Sequence, residues 1–102
     1  MQPSINALTA TLKSAEEFYR RLPGATLLTY LYFLHIALCD SELQKITYKD
    51  LEEHFNQTRQ TNHSVIKKLI TEGLVEKDIA YGKIHRVFLT EEGRKLFKSM
   101  NY

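Results

Sequence analysis

With 102 residues the chain has room for one domain, since a typical domain holds roughly 100 to 150 residues and a second would have little to bury. A hydrophobic fraction of 43%, an aromatic fraction of 11% and only two Pro and four Gly exclude disorder and fibrous repeats. A formal charge of +2 is too small to argue by itself for a polyanionic partner, and the single Cys39 excludes an internal disulfide and points to a reducing compartment.

Ser4 to Leu22 carries Ile5, Leu8, Leu12, Ala15, Tyr19 and Leu22 at alternating spacings of three and four, one stripe of a helix that Phe18 widens. Ser4 is the expected N-cap, and Pro23-Gly24 the stop. The stripe also obeys a heptad, so it suits both the chain's own core and a second subunit. Ala25 to Cys39 is apolar nearly all round, and at 15 residues it is shorter than the roughly 20 needed to span a bilayer. A helix of that kind is buried from several sides, which predicts a homodimer interface as well as a core. Ile5, Leu8, Leu12, Tyr19, Leu27, Leu31 and Leu34 are the expected dimerisation residues.

Asp40-Ser41-Glu42 then reads as a polar connector and Lys45-Ile46-Thr47 as a short extended segment. Thr47 suits the N-cap of a two-turn helix, with Asp50 at its third position and Leu51 and Phe55 as its buried face. After a turn at Asn56-Gln57, Thr58 caps a helix running to Glu72 and ended by Gly73. Leu74 to Ala80, Tyr81-Gly82-Lys83 and Ile84 to Leu89 form a hairpin, and Thr90 caps a last helix containing Leu96, Phe97 and Met100.

A short helix, a turn, a longer helix and a hairpin are the order of a winged helix-turn-helix, whose second helix can lie in the DNA major groove. The fold predicted is therefore mainly α with a small β-hairpin wing (α+β). Residues 1–40 form an N-terminal helical pair for dimerisation, and residues 44–102 the winged helix. In the second helix of the motif, Asn62, Val65, Ile66 and Leu69 face inward. Gln60, Ser64, Lys67 and Thr71 face outward, with His63 and Lys68 flanking. Amide and hydroxyl side chains hydrogen-bond base edges and lysine reaches guanine or phosphate, whereas a merely solvated helix face needs no such chemistry. Charge supports the first alternative. Thr58 to Arg86 holds six basic and three acidic residues, a net of +3, while Met1 to Gln57 holds five basic and seven acidic residues, a net of −2.

The run Ile66-Lys67-Lys68-Leu69-Ile70-Thr71-Glu72-Gly73-Leu74-Val75-Glu76-Lys77, followed by Val87-Phe88-Leu89-Thr90-Glu91-Glu92-Gly93-Arg94-Lys95-Leu96, resembles part of the MarR-type regulators. It matches the end of their recognition helix, their wing and the helix that follows. The resemblance covers about Lys45 to Phe97 and implies a dimeric transcription regulator, usually a repressor. Such a regulator binds palindromic DNA and sometimes releases it when a small molecule or oxidant acts. By position, Gln60, Thr61, His63, Ser64 and Lys67 correspond to recognition-helix contacts and Lys83 to the basic wing residue. Arg59, Lys68 and Arg86 are expected phosphate contacts. The chain departs from the family at Glu52, where a small residue is usual, and at Gln57 and Asn62, where apolar residues are usual. These departures predict a more open or differently registered motif. The wing is short and lacks the usual acidic residue and arginine pair. The last helix ends at Tyr102, so a dimer must lean on the first two helices.

Catalysis has little support. His35 and Cys39 share a helix face but lack the further ligands of a metal site, so a core histidine and a small buried hydrophobe are expected, with no metal or cofactor. A redox role for Cys39 would need a lowered thiol pKa. Asp50, Glu52, Glu53 and His54 crowd one helix without a nucleophile or phosphate loop. Met1 to Asn6 lacks a basic start followed by an apolar run, so a cytoplasmic location without membrane attachment is expected. The competing function is a winged-helix module for protein contacts or for replication, partition or transfer of DNA, which fold alone does not distinguish.

Overall fold

Ile5–Arg21 forms helix α1 and Leu27–Ser41 helix α2. The two-residue strand β1 (Ile46–Thr47) leads into α3 (Tyr48–His54) and α4 (Arg59–Thr71), then strands β2 (Val75–Ala80) and β3 (Ile84–Leu89), and finally α5 (Glu91–Ser99). This computed structural model describes residues 5–80 and 84–100, with side chains for 9–78 and 85–100. The expected cap at Ser4, the hairpin tip Tyr81-Gly82-Lys83 and the side chains of Ile5 and Leu8 lie outside the described residues.

Side-chain caps explain where the helices start. The hydroxyls of Thr26, Thr47, Thr58 and Thr90 accept from the backbone N–H three residues on, at Thr29, Asp50, Thr61 and Gly93. At Thr47 the Asp50 carboxylate returns the favour by accepting from the Thr47 N–H at 2.9 Å, closing the capping box anticipated from the sequence. Gly73, at φ 77°, ends α4 in the left-handed conformation that a Cβ disfavours. Helix α2 continues through Asp40-Ser41 where a connector was expected. The Arg94 guanidinium holds Asp40 at 3.1 Å, and the Gln44 N–H caps the Cys39 carbonyl at 2.8 Å.

The strands form one antiparallel sheet in the order β1-β3-β2. Ile46 pairs with Val87 and Thr47 with Arg86 on one side of β3, and Val75 with Leu89 through Asp78 with Arg86 on the other. Because β1 runs directly into α3, the first pairing locks the start of α3 against β3. One hydrophobic cluster joins every helix to the sheet, with Phe18, Tyr32, Phe33, Ile36, Leu51, Ile66, Leu69, Leu74 and Leu89 at its centre.

Helix α1 buries a different line from the one its heptad predicted. Ser14, Phe18 and Leu22 are buried, Ala15 and Tyr19 partly so, and Leu12 is exposed. The helix turns this way because the Ser14 hydroxyl is satisfied by the Tyr30 hydroxyl at 2.9 Å, while Phe18 inserts among the rings of Tyr19, Tyr30 and Phe33.

Candidate nucleic-acid interface

The buried stripe of α4 is Asn62, Val65, Ile66 and Leu69, as its periodicity requires. The polar residue in that stripe is buried and partnered. The Tyr32 hydroxyl donates to Asn62 Oδ1 at 2.6 Å, and Asn62 Nδ2 donates to the Tyr48 carbonyl at 2.9 Å, so the amide ties α4 to α2 and α3. Gln57, the other polar departure, donates to the Phe55 carbonyl at 3.0 Å in the turn between α3 and α4. Both polar departures therefore find partners within the chain.

With that side anchored, Gln60, Ser64, Lys67 and Thr71 stand exposed on the opposite side of α4, and His63 and Lys68 are exposed on its flanks. Thr61 is half-buried and belongs to the cap, its hydroxyl accepting from Thr58 at 3.1 Å. On one flank Lys68 meets Glu72 at 3.3 Å, and Glu72 also holds Arg21 of α1. The hydrogen bond from Lys68, and secondarily Arg21, lowers the Glu72 pKa.

The other flank carries Arg59 and His63 and borders an open cleft of about 510 Å³ that Thr47, Tyr48, Lys49, Glu52 and His85 complete. The Tyr48 ring sits 4.9 Å from that of His63 and 5.5 Å from that of His85. Burial raises the Tyr48 phenol pKa, so its hydroxyl stays neutral. Positions 48, 63 and 85 have no spacing that relates them in sequence. Only β1–β3 pairing, which sets the start of α3 beside β3, brings Tyr48 and His85 to α4.

Arg86 does not share the His85 side of the hairpin. Strand alternation sends it to the other face, where Asp78, its register partner, accepts from it at 3.0 Å. Lys83 lies outside the described residues.

His35 is half-buried and differs from a plain core histidine. Its ring stacks on His54 with centroids 3.9 Å apart, meets Phe55 edge-on, and has Nε2 3.8 Å from Cys39 Sγ. Burial, then the His54 charge, lowers its pKa. Burial also raises the Cys39 thiol, with Glu42 and Asp50 adding to the effect, which is the opposite of an activated thiolate. Among the described residues there is no group of three or more His, Cys, Asp or Glu placed to hold a metal ion, and no helix long and apolar enough to cross a membrane.

Helix, tight turn, exposed polar second helix and three-stranded wing define a winged helix-turn-helix, here preceded by two packed helices. The fold is that of the MarR-type regulators. The chain is similar in structure to MepR of Staphylococcus aureus in complex with DNA, with a TM-score of 0.74 and 13% identity over 95% of this chain and 77% of that one. MepR is a transcription regulator of the multidrug efflux pump MepA. A MarR transcriptional regulator from Methanosarcina mazei matches with a TM-score of 0.70 and 22% identity, covering 93% of this chain and 66% of its own. A MarR-like transcriptional regulator from Thermotoga maritima matches with a TM-score of 0.68 and 20% identity, over 98% and 74%. Neither a protein-family model nor a curated protein matches this sequence.

Proposed function

We propose that this protein is a sequence-specific regulator of transcription that binds double-stranded DNA as a homodimer and acts as a repressor in the cytoplasm. The observation that carries the proposal is the side of α4 opposite its buried stripe, where Gln60, Ser64, Lys67 and Thr71 are exposed together. In this proposal Gln60 and Ser64 read base edges, Lys67 reads or anchors, and Arg59, His63, Lys68 and Lys83 meet the phosphates. Thr61 contributes through the cap it completes. Arg86 would reach phosphate only by exchanging its Asp78 partner. The similarity to a DNA-bound MepR structure supports the same placement of α4.

The dimer is proposed from α2. Leu27, Leu31 and Leu38 are 64%, 39% and 50% exposed, and with half-buried Leu34 they recur at spacings of four, three and four, opposite the buried Tyr32, Phe33 and Ile36. That self-complementary leucine stripe fits a second copy of itself across a two-fold axis, and such a pair sets two recognition helices about one DNA turn apart over an inverted repeat. Leu12, 59% exposed on α1, is a further candidate for this contact. Tyr19 takes part less directly, since its ring lies against Phe18 and Tyr30 within the chain.

Selection of duplexes from a random pool by the purified protein, at stated salt, tests the function. An enriched inverted repeat is expected. Retention without a shared sequence would leave an architectural or DNA-maintenance role, and no retention would leave a protein-contact module.

A further inference from the structure

The cleft between α4, α3 and β3 has a composition that the groove-reading face does not explain: three aromatic rings, two of them imidazoles, with two fixed cations and one acid. We propose that it takes a backbone phosphate of the bound duplex, and that seating this phosphate draws protons onto His63 and His85. The proposal rests on the DNA-binding role of α4 and adds to it a proton-linked contact.

A helix with its side chains is about 10–12 Å across and the major groove about 12 Å wide, so the flanks of an inserted helix face the sugar-phosphate strands. Arg59 and His63 occupy such a flank of α4, and Tyr48 and His85 form the wall beyond it. With both imidazoles neutral, Arg59 and Lys49 against Glu52 leave the lining at +1; with both protonated it is +3. A phosphate seated in the cleft beside the two rings favours the charged form of each. Tyr48 stands against both, its ring centroid 4.9 Å from that of His63 and 5.5 Å from that of His85. A protonated imidazole also gains a second N–H donor for the phosphate oxygens.

Among the described residues, the titratable and charged groups around the two imidazoles are Tyr48, Lys49 and Glu52 from α3, Arg59 and Lys67 from α4, and Lys77 of β2, which shares the sheet face of His85, while Arg86 and Asp78 pair with each other on the other face of the hairpin. The His35–His54 stack is unchanged in the variants below, so its contribution cancels in any comparison between them.

Phosphate contacts do not depend on base sequence, so a mixed-sequence duplex at low salt is a sufficient probe. Calorimetric titration of the full-length protein in two buffers of different ionisation enthalpy, at about pH 6.5 in the imidazole range, counts the protons taken up. We expect uptake by the wild type, less in His63→Gln and in His85→Gln, and least in the double variant. Each proton lost should flatten the rise of log affinity on acidification by up to about one unit per pH unit. His85→Lys, with a charge that does not titrate here, should bind more tightly than wild type at about pH 8 while taking up fewer protons. It also serves where the glutamine variant folds poorly. A wild type that binds duplex without proton uptake, or a double variant with undiminished uptake, overturns the phosphate cleft alone. A wild type that binds no duplex at any pH overturns the DNA-binding role and the cleft with it.

Discussion

The Tyr32 hydroxyl of α2 donates to the buried Asn62 amide oxygen of α4 at 2.6 Å, joining the proposed dimerisation helix to the proposed recognition helix through one hydrogen bond. Tyr32→Phe leaves that amide oxygen buried without its donor and is expected to cost about 1–3 kcal/mol. For a domain of this size that is a fall in melting temperature of roughly 4–8 °C per kcal/mol. Combining it with Asn62→Leu should cost less than the sum of the two single changes, because they remove the same pair. A thermal melt of Tyr32→Phe indistinguishable from wild type would show the bond to be energetically idle.

The lowered pKa of His35 makes a pH prediction with a definite sign. The folded chain binds this proton less readily than the unfolded chain, whose histidine titrates near 6.5, so the unfolded state holds more protons and stability rises with pH. Stability should therefore fall as the solution is acidified through and below that value. His35→Phe keeps a ring against His54 and should flatten the dependence, read as urea midpoints at neutral and mildly acidic pH. An equally steep loss in His35→Phe would assign it to other groups.

Leu31 and Ile36 lie on opposite sides of α2, one exposed in the single chain and the other fully buried. A charge at Ile36 enters the core unpaired and should unfold the protein, at a cost of several kcal/mol. Leu31→Glu should instead leave a folded monomer, its helical circular dichroism retained and its mass by light scattering halved. A Leu31→Glu protein that remains dimeric would remove the leucine stripe from the interface.

For DNA binding, Gln60→Ala should change which sequences are preferred, while Arg59→Ala should weaken binding to all of them and reduce the salt slope by about one. Both residues are exposed and outside the core, so their substitution leaves the fold intact. An unaltered preferred site in Gln60→Ala would move base reading to other residues.

Gly93 permits a close approach of α5 to the backbone that leads into β2. A Cβ there would lie 2.1 Å from the Leu74 carbonyl oxygen, a backbone atom that no rotamer change can remove. Gly93→Ala gains roughly 1 kcal/mol of helix propensity, yet the overlap forces α5 away from the Leu74 backbone at a cost of about 1–3 kcal/mol or more. A lower melting temperature is expected; a stabilised Gly93→Ala would show that α5 shifts freely.

Much of this architecture was legible in local chemistry. Threonines 47, 58 and 90 cap the helices they were expected to cap, because a cap depends only on residues within one turn. The polar side of α4 was placed by its 3.6-residue period. The buried side of α1 was not, because Ser14 enters the core only when Tyr30, sixteen residues away, meets its hydroxyl. Asn62 likewise looks like a defect in an apolar stripe until Tyr32 and Tyr48 supply its partners.

The order of elements, the caps at Thr47, Thr58 and Thr90 and the outward side of α4 follow from the sequence by itself, since each is set by neighbours within a few residues. The tertiary structure alone decided which leucines of α2 stay uncovered, that Arg86 is held by Asp78, and that Tyr48, His63 and His85 meet. Those outcomes depend on strand register and on which helix packs where, and such long-range pairings leave no period or spacing in the chain to read.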